Sequence, residues 1–206
     1  MTSLPPFHAL GWSVSSTAAP ADRLVYYSKS KDAKPGQGAN ERLGATTPGD
    51  AYEELGAIRG WRKVLSQFHP EVFEYDGHSF TTAEHAWHYV KLKMIGHPNK
   101  ARLFARESGS ALAMGSALDA KRAGGKRGVH SMSADEVARW ELEKRRAVED
   151  MLYAKFSSSA LARRVLLATG DAELLHYERG PKLVDLLSAV RARVRAETSP
   201  PAPQCE

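Results

Sequence analysis

Cysteine is nearly absent from the 206 residues, since Cys205, the second-last residue, is the only one. A single cysteine near the end of the chain excludes a disulfide framework, a zinc site built on thiolates and a cysteine nucleophile in a structured core. This cysteine usage also fits a reducing compartment. We therefore expect an intracellular protein of the cytoplasm or the nucleus.

Long hydrophobic runs are missing as well. No stretch approaches the roughly 18 apolar residues of a membrane span, and residues 1–20 lack the basic start and apolar stretch of a secretory signal. We expect no membrane association. The 42% hydrophobic and 26% charged residues are typical of one soluble globular domain, taken as a monomer, and the net charge of +5 favours an anionic partner.

Composition divides the chain into a central domain and two tails. Residues 1–22 and 197–206 are rich in Pro, Ser, Thr and Ala without periodicity, which is typical of disordered ends. The domain is expected over residues 23–196. Its pattern predicts an α+β fold, mostly helical, with a small β-sheet or hairpin.

Local patterns predict the individual elements. We expect short strands over residues 24–27 and 172–177 and a hairpin over residues 72–81, with Asp76-Gly77 as its turn. Helices are expected from Thr47 to near Gly60, from Thr81, in a short segment from Pro98 to about Glu107, from Ser110, after the capping box of Ser133 and Glu136, over residues 159–169, and from Pro181.

Two histidines, a carboxylate and an indole lie close together on the helix predicted to begin at Thr81. Helical spacing places Glu84, His88 and Lys91 in one sector, with Trp87 at its border. An apolar environment would raise the pKa of Glu84 and suit it to acid catalysis, whereas Lys91 and the helix N-terminus would lower it and suit it to base catalysis. In the structural alternative, Glu84 is only the capping-box partner of Thr81.

The same residues do not match a metal motif. In the zinc helix the two histidines are four apart and glutamate follows the first, whereas His85 and His88 are three apart and Glu84 precedes both. The facing carboxylates of a di-iron bundle are equally hard to find. We predict no metal site and no cofactor.

Lysines 29, 31 and 34 and glycines 36 and 38 crowd the polar segment of residues 28–41, named here the lysine loop. Its amides and ammonium groups can approach phosphates closely, although the Gly-Lys-Ser/Thr ending of a P-loop is absent. A solvated mobile loop is the alternative. A lysine in a dry pocket can also attack an anomeric carbon as a Schiff-base nucleophile, and Lys29 or Lys31 is best placed to do so.

Other residues are open to two interpretations. Trp61 and Phe68 are typical of a core, while their neighbours Arg62 and Ser66 can face a ligand. Four basic side chains flank Gly124-Gly125 and can contact nucleic-acid phosphates or simply be exposed surface. This basic turn comprises Lys121, Arg122, Lys126 and Arg127.

The order of these motifs resembles the NADAR family, also called YbiA-like. Its members share a Phe-Ser-Asn-Phe element, a hairpin, and Ser-x-Glu-His-x-x-Gln with a lysine three residues on. The corresponding segments here are Leu65-Ser66-Gln67-Phe68, the Asp76-Gly77 turn, and Thr82-Ala83-Glu84-His85-Ala86-Trp87-His88 with Lys91. Ala154-Lys155-Phe156 and residues 166–170 resemble two later elements. His88 stands where glutamine is usual, Gln67 stands where asparagine is usual, and the late Trp-Gly and Asn-x-Leu-Gly elements are missing.

The resemblance implies an activity. Residues 34–41 resemble the eukaryotic and viral branch of the family, which implies an N-glycosidase that removes ADP-ribose from guanine bases in DNA or RNA. Glu84 would act as general acid/base or stabilise charge on the ribose, and Lys29, with Lys31 in reserve, would capture the ring-opened ribose as an imine. Two alternatives are an N-glycosidase acting on ribosylamino-pyrimidine phosphates of riboflavin synthesis and a non-catalytic module that binds ADP-ribose or nucleic acid.

The resemblance also implies a set of substrate-binding residues. Trp87 or Trp61 would stack on a base, and Gly38, Asn40 and Glu41 would line the ADP-ribose site. The complete set is Ser28, Lys31, Gly38, Asn40, Glu41, Trp61, Arg62, Ser66, Phe68, His85, Trp87, His88 and Lys91.

Overall fold

The computed structural model describes residues 22–177 and 183–198. Most of the two predicted tails, residues 1–22 and 197–206, lies outside these ranges. Asp22, at the edge of the first tail, accepts hydrogen bonds from Gly44 N, Thr47 Oγ1 and Tyr52 OH at 2.6, 2.6 and 2.7 Å. These bonds lower the pKa of the Asp22 carboxyl against the opposing effect of its burial, and they tie the segment after the lysine loop to the start of the domain.

Strands from the two ends of the domain form one small sheet. β1 (Arg23–Tyr26) pairs in parallel with β4 (Glu173–Tyr177), and β5 (Leu183–Asp185) lies antiparallel to β4. Leu24 and Leu174 are partners in this register, and both are fully buried. A parallel pair requires a crossover connection, and here the crossover contains most of the domain. The two predicted strands are confirmed to within one residue.

A hairpin lies in the middle of that crossover. β2 (Phe73–Tyr75) and β3 (His78–Phe80) pair antiparallel, as predicted. Asp76 and Gly77 between them have φ angles of 54° and 74°, the positive values that a type I′ turn requires. Phe73 and Phe80 are buried partners whose ring centroids are 6.0 Å apart. The hairpin leads directly into the helix that carries Glu84.

Side-chain caps fix the start of the main helices. Thr82, Ser110, Ser116, Ser133 and Ser159 each accept a hydrogen bond from the backbone N–H three residues on. The predicted capping box of Ser133 and Glu136 is confirmed. The helices are α1 (Glu53–Ala57), α2 (Trp61–Leu65), α3 (Ala83–Met94), α4 (Pro98–Arg102), α5 (Ala111–Met114), α6 (Ala117–Ala123), α7 (Ala134–Ser158), α8 (Ala160–Ala168) and α9 (Ser188–Thr198).

The three-turn helix predicted from Thr47 is wrong. The helix there, α1, starts only at Glu53. Gly44 N, the Thr47 hydroxyl and the Tyr52 hydroxyl all donate to the Asp22 carboxylate, which holds the two ends of this segment against the start of the domain. Residues 44–52 form turns instead.

The bounds of two further helices differ from the prediction. Residues 183–185, expected in the closing helix, form β5, and α9 begins at Ser188; Pro181 lies outside the described residues. The segment from Pro98 forms α4 as far as Arg102 and then, after a break, a single 3₁₀ turn over Arg106–Ser108.

The core lies between α3, α7 and the elements around them. Helix α3 packs against α4, α6 and α7, and α7 also packs against α8, α9 and β2. The largest fully buried side chains include Phe80, Phe104, Met151 and Phe156. The chain is a single α+β domain, about half helical with a small sheet, which confirms the predicted fold class. Within the described residues, no helix is long and apolar enough to cross a membrane.

Candidate active site

A buried ion pair holds the lysine loop against α2. Arg62 Nε and Nη2 donate to Glu41 Oε1 and Oε2 at 2.7 and 2.6 Å, and the two side chains are 4% and 0% exposed. Arg62 Nη1 also donates to Ala33 O at 2.7 Å. A bidentate pair of this kind combines charge with fixed geometry. Arg62 and Glu41 were both predicted to bind substrate, but their charged groups bind each other and stabilise the conformation of the lysine loop.

Backbone amides complete the surroundings of the Glu41 carboxylate. Val25 N, Gly36 N and Gly38 N donate to it at 3.1, 3.0 and 2.8 Å. A Cβ added to Gly38 would lie 2.6 Å from the Glu41 carboxyl carbon, so this position has no room for a side chain. The glycines of the loop thus allow close approach to an internal carboxylate.

The loop encloses a cavity of about 540 Å³. Five of the predicted site residues line it, namely Lys29, Lys31, Gly38, Asn40 and Arg62. The remaining lining residues are Val25, Tyr27, Ser30, Asp32, Ala33, Gln37 and Ala39. Lys29, Lys31 and Lys34 are exposed, and in the described part of the chain none of them forms an ion pair. Their charge is available for an anionic ligand.

A second group of predicted residues lies on α3, and we name Glu84, His88 and Lys91 the Glu84 cluster. Glu84 and His88 are buried, one helical turn apart, with Glu84 Oε1 3.3 Å from His88 Nε2. This contact does not have hydrogen-bond geometry, and neither ring nitrogen of His88 has a hydrogen-bond partner among the described residues. Burial lowers the pKa of His88, which favours the neutral ring. Buried polar groups in proteins are normally hydrogen-bonded, and a bound ligand would provide the partner that the His88 ring lacks.

Gly124, in the middle of the basic turn, lies against one side of the Glu84 cluster. Lys91 Nζ donates to Gly124 O at 2.5 Å, and burial lowers the pKa of this lysine. A Cβ added to Gly124 would lie 2.0 Å from His88 Nδ1. Phe104 packs against the His88 ring with centroids 5.5 Å apart. The position of the His88 ring therefore depends on a glycine at 124.

The structural interpretation of Glu84 as the capping partner of Thr81 is wrong. The N-cap is Thr82, whose Oγ1 accepts from His85 N at 3.4 Å and lies 2.8 Å from His85 Nδ1. His85 Nε2 is 3.0 Å from Leu112 O, and this histidine is fully buried. Both ring nitrogens of His85 are thus used within the protein, and the Glu84 side chain has no capping role.

The segment Ser66–Gln67–Phe68 connects α2 to the Glu84 cluster. Gln67 O accepts from Glu84 N at 3.0 Å. Lys155 Nζ donates to Val64 O and Ser66 O at 3.0 and 2.9 Å, and Lys155 is fully buried on α7. Burial lowers the pKa of Lys155 to about 8. The sequence marked Lys155 only as part of a family motif, and its role here is to anchor this segment.

The remaining side chains predicted in this segment also have partners. Ser66 Oγ accepts from Phe68 N at 3.2 Å. Lys121 Nζ lies 5.4 Å from the centroid of the Phe68 ring, within range of a cation–π contact. Phe68 therefore joins the basic turn to the segment that supports Glu84.

The two tryptophans proposed to stack on a base are both engaged by protein. Trp61 is 2% exposed, with the Arg62 guanidinium 4.1 Å from its ring centroid. Trp87 is half-buried and packs edge-on against Trp140 of α7, with centroids 5.8 Å apart. In this conformation the ring of Trp61 is not accessible to a base.

The predicted site residues thus fall into two groups. One group surrounds the cavity of the lysine loop, and the other is the Glu84 cluster on α3. Among the described residues, no residue of α3 lines the cavity. The groups are connected through α2, which begins with Trp61 and Arg62 and runs into Ser66 and Gln67. Ser28, between β1 and Lys29, is partly buried.

Comparison with known proteins agrees with the motif order. A family model described as the NADAR domain matches residues 59–180. The solved NMR structure of the E. coli protein YbiA is similar over 66% of this chain and 80% of its own, at 22% identity and a TM-score of 0.50. This likeness shows a common fold. A search of the curated proteins gives no match.

The matched region contains the Glu84 cluster, Arg62 and Lys155, whereas the lysine loop precedes it. The similarity to the eukaryotic and viral branch, which rests on residues 34–41, therefore stays a prediction. Because the family model covers more than half of the 206 residues, the chain belongs to the NADAR domain family, which includes N-glycosidases.

Proposed function

We propose that this protein is an N-glycosidase that hydrolyses the bond between ADP-ribose and a guanine base in nucleic acid. The observation that carries the proposal is the buried carboxylate of Glu84 beside the buried ring of His88, whose nitrogens have no hydrogen-bond partner among the described residues. A carboxylate in a water-poor environment can donate or accept a proton and can stabilise positive charge on a sugar. The exposed lysines at the loop cavity complement the two negative charges of a diphosphate.

The proposed reaction needs one proton and one water. Glu84 donates a proton to the guanine amine as the bond between that nitrogen and C1′ of the ribose breaks. Positive charge develops on the ribose and is stabilised by the carboxylate that remains. Water then adds to C1′ and returns a proton to Glu84. The products are ADP-ribose and the unmodified base.

A covalent variant of this reaction uses the lysine loop. The Lys29 amine would form an imine with C1′ of the ring-opened ribose as the guanine amine leaves, and water would hydrolyse the imine. Lys29 and Lys31 both line the cavity. Borohydride trapping of a ribose–protein adduct distinguishes the two lysines. An adduct that is absent in Lys29→Ala and present in Lys31→Ala supports Lys29, and the reverse pattern assigns the role to Lys31. The absence of an adduct in the wild type would favour direct hydrolysis without a covalent intermediate.

The basic turn supports nucleic acid as the carrier of the modified base. Lys121 and Arg122 at the end of α6 are exposed, as are Lys126 and Arg127 after it. Phosphate contacts by such side chains contribute affinity that falls with salt. Such a substrate would be met in the cytoplasm or nucleus. Comparing an ADP-ribosylated oligonucleotide with ADP-ribosylated guanosine at two salt concentrations tests this contribution.

Release of ADP-ribose from ADP-ribosylguanosine tests the activity itself. We expect turnover by the wild type and a loss of about 10²- to 10⁴-fold in Glu84→Gln, the range for a general acid. The matched control is Glu74→Gln, an exposed glutamate on β2, which should keep full activity. Binding without release under single-turnover conditions would identify a binding module. Faster cleavage of a ribosylamino-pyrimidine phosphate would identify the riboflavin-pathway alternative.

A further inference from the structure

Two histidines and a glutamate converge outside the site described above. His97 precedes α4, His130 lies between α6 and α7, and Glu136 is in the first turn of α7. One donor atom from each lies within 4.8 Å of the others. His97 Nε2 is 2.5 Å from Glu136 Oε1, and His130 Nε2 is 3.0 Å from Glu136 Oε2. All three residues are half-buried.

The chemistry of these donors matches one class of ligand. Two imidazole nitrogens and one carboxylate oxygen are the set that binds Zn²⁺ with a fourth position left for water. Bonds of about 2.0 to 2.1 Å in a tetrahedral site put neighbouring donor atoms about 3.3 Å apart. The Nε2 atoms of His97 and His130 lie 2.5 and 3.1 Å from the same oxygen, Glu136 Oε1, so binding a cation requires the side chains to move apart slightly. The two imidazole centroids are 3.9 Å apart, and both rings have Nε2 against the Glu136 carboxylate.

Glu136 is held in place by a second interaction. Its Oε2 accepts from Ser133 N at 2.7 Å as part of the capping box. The carboxylate is therefore fixed at the helix start before any ligand binds. Its Oε1 faces His97 Nε2, and the pair of histidines completes the donor set. A preorganised carboxylate reduces the conformational cost of binding a cation.

Lys100 competes with a cation at His130. Its Nζ lies 3.1 Å from His130 Nδ1. An ammonium group can only donate, so His130 Nδ1 accepts from Lys100 and the ring proton is on Nε2, which donates it to Glu136. A metal at Nε2 requires the proton on Nδ1 instead, and Lys100 must then turn away. Removal of the lysine amine should strengthen metal binding.

We propose that His97, His130 and Glu136 form a binding site for one divalent cation of the Zn²⁺ class, with water as the fourth ligand. The cation joins the start of α4, the segment before α7 and α7 itself. His130 is in the segment that begins at Gly124, which packs against His88. The site lies outside the Glu84 cluster and the lysine loop, and its occupancy does not depend on the proposed glycosidase activity.

Metal binding by the untagged full chain tests the site. After treatment with a chelator, we expect one equivalent of Zn²⁺ by calorimetry, and one equivalent of Co²⁺ with the intense visible absorption of a four-coordinate complex. Glu136→Gln keeps an amide oxygen for the capping box but loses the negative charge. This variant and His130→Gln should each weaken metal binding by more than about tenfold, because even the loss of a second-layer partner costs about 10- to 100-fold in metal affinity. Lys100→Met should tighten binding.

A matched control distinguishes this site from adventitious histidine binding. His78 lies near Glu107, with Nδ1 3.7 Å from Oε2, elsewhere on the surface. His78→Gln should leave the affinity and the Co²⁺ spectrum unchanged. The proposal is overturned if the folded wild type, checked by circular dichroism, binds less than one equivalent, or if Glu136→Gln and His130→Gln both retain wild-type affinity.

Discussion

In the lysine loop the buried charges are structural and the exposed charges are the candidates for chemistry, whereas on α3 the buried groups themselves are the candidates. Glu41 in the loop is saturated by Arg62 and three backbone amides. Glu84 is also buried, with its side chain 9% exposed, yet among the residues that the structure describes neither ring nitrogen of its neighbour His88 has a hydrogen-bond partner. The comparison teaches that burial of a carboxylate does not by itself indicate catalysis. What distinguishes Glu84 is incomplete satisfaction of the polar groups around it.

Removal of Arg62 is expected to have the largest effect on the protein. Breaking one partner of a buried ion pair costs about 3–5 kcal/mol because the other charge is left without compensation. Arg62→Ala should lower the free energy of unfolding by that amount, measured by urea denaturation, and release the lysine loop. The control is Arg59→Ala, whose side chain is 96% exposed. A loss below about 1 kcal/mol, the range of a surface pair, would contradict a structural role for the pair.

Lys155 should give a pH-dependent difference in stability. Its pKa is about 8 in the fold and 10.5 otherwise, so between these values the unfolded chain binds more protons. Stability then rises with pH. Relative to Lys155→Met, the wild type should gain about 2–3 kcal/mol between pH 8 and pH 10.5.

Denaturation of the two proteins at several pH values measures this gain, and the comparison cancels the titration of other groups. The same variant leaves Val64 O and Ser66 O without their donor, so it should also slow ADP-ribose release. Parallel stability curves for the two proteins would show that Lys155 does not have a lowered pKa.

Gly124→Ala tests the Glu84 cluster, and we expect it to change stability less than the two variants above. The added methyl group would overlap the His88 ring, and overpacking of this kind costs about 1–3 kcal/mol. Because the His88 ring must move, we expect the loss of transition-state stabilisation, taken from kcat/KM for ADP-ribose release, to exceed the loss in the free energy of unfolding. Gly49→Ala is the control, since a Cβ there meets nothing within 4 Å. Full activity in Gly124→Ala would mean that the position of His88 is not important for the reaction.

Features encoded by neighbouring residues could be predicted from the sequence. The Asp76-Gly77 turn, the Ser133–Glu136 capping box and the proximity of Glu84 to His88 all depend on residues within four positions of each other. The turns found at residues 44–52 in place of the expected helix are held by Asp22, 25 residues before Thr47, which accepts hydrogen bonds from Gly44, Thr47 and Tyr52.

Interactions between segments that are distant in the sequence could not be predicted from a single sequence. The Glu41–Arg62 pair joins residues 21 apart, and Lys155 reaches carbonyl groups 91 and 89 residues earlier. The expectation of no metal was based on the spacing of His85 and His88, the lack of facing carboxylates and the single cysteine. His97 and Glu136 are 39 residues apart, and no short spacing motif connects them.

A crystal structure with ADP-ribose tests most directly whether the lysine loop and the Glu84 cluster serve one substrate. The proposal predicts the diphosphate in the cavity beside Lys29 and Lys31, with the ribose C1′ hydroxyl within hydrogen-bond distance of the Glu84 carboxylate. It also predicts a hydrogen bond from the ligand or an ordered water to the His88 ring. ADP-ribose bound with its ribose away from Glu84 would contradict the assignment of the active site.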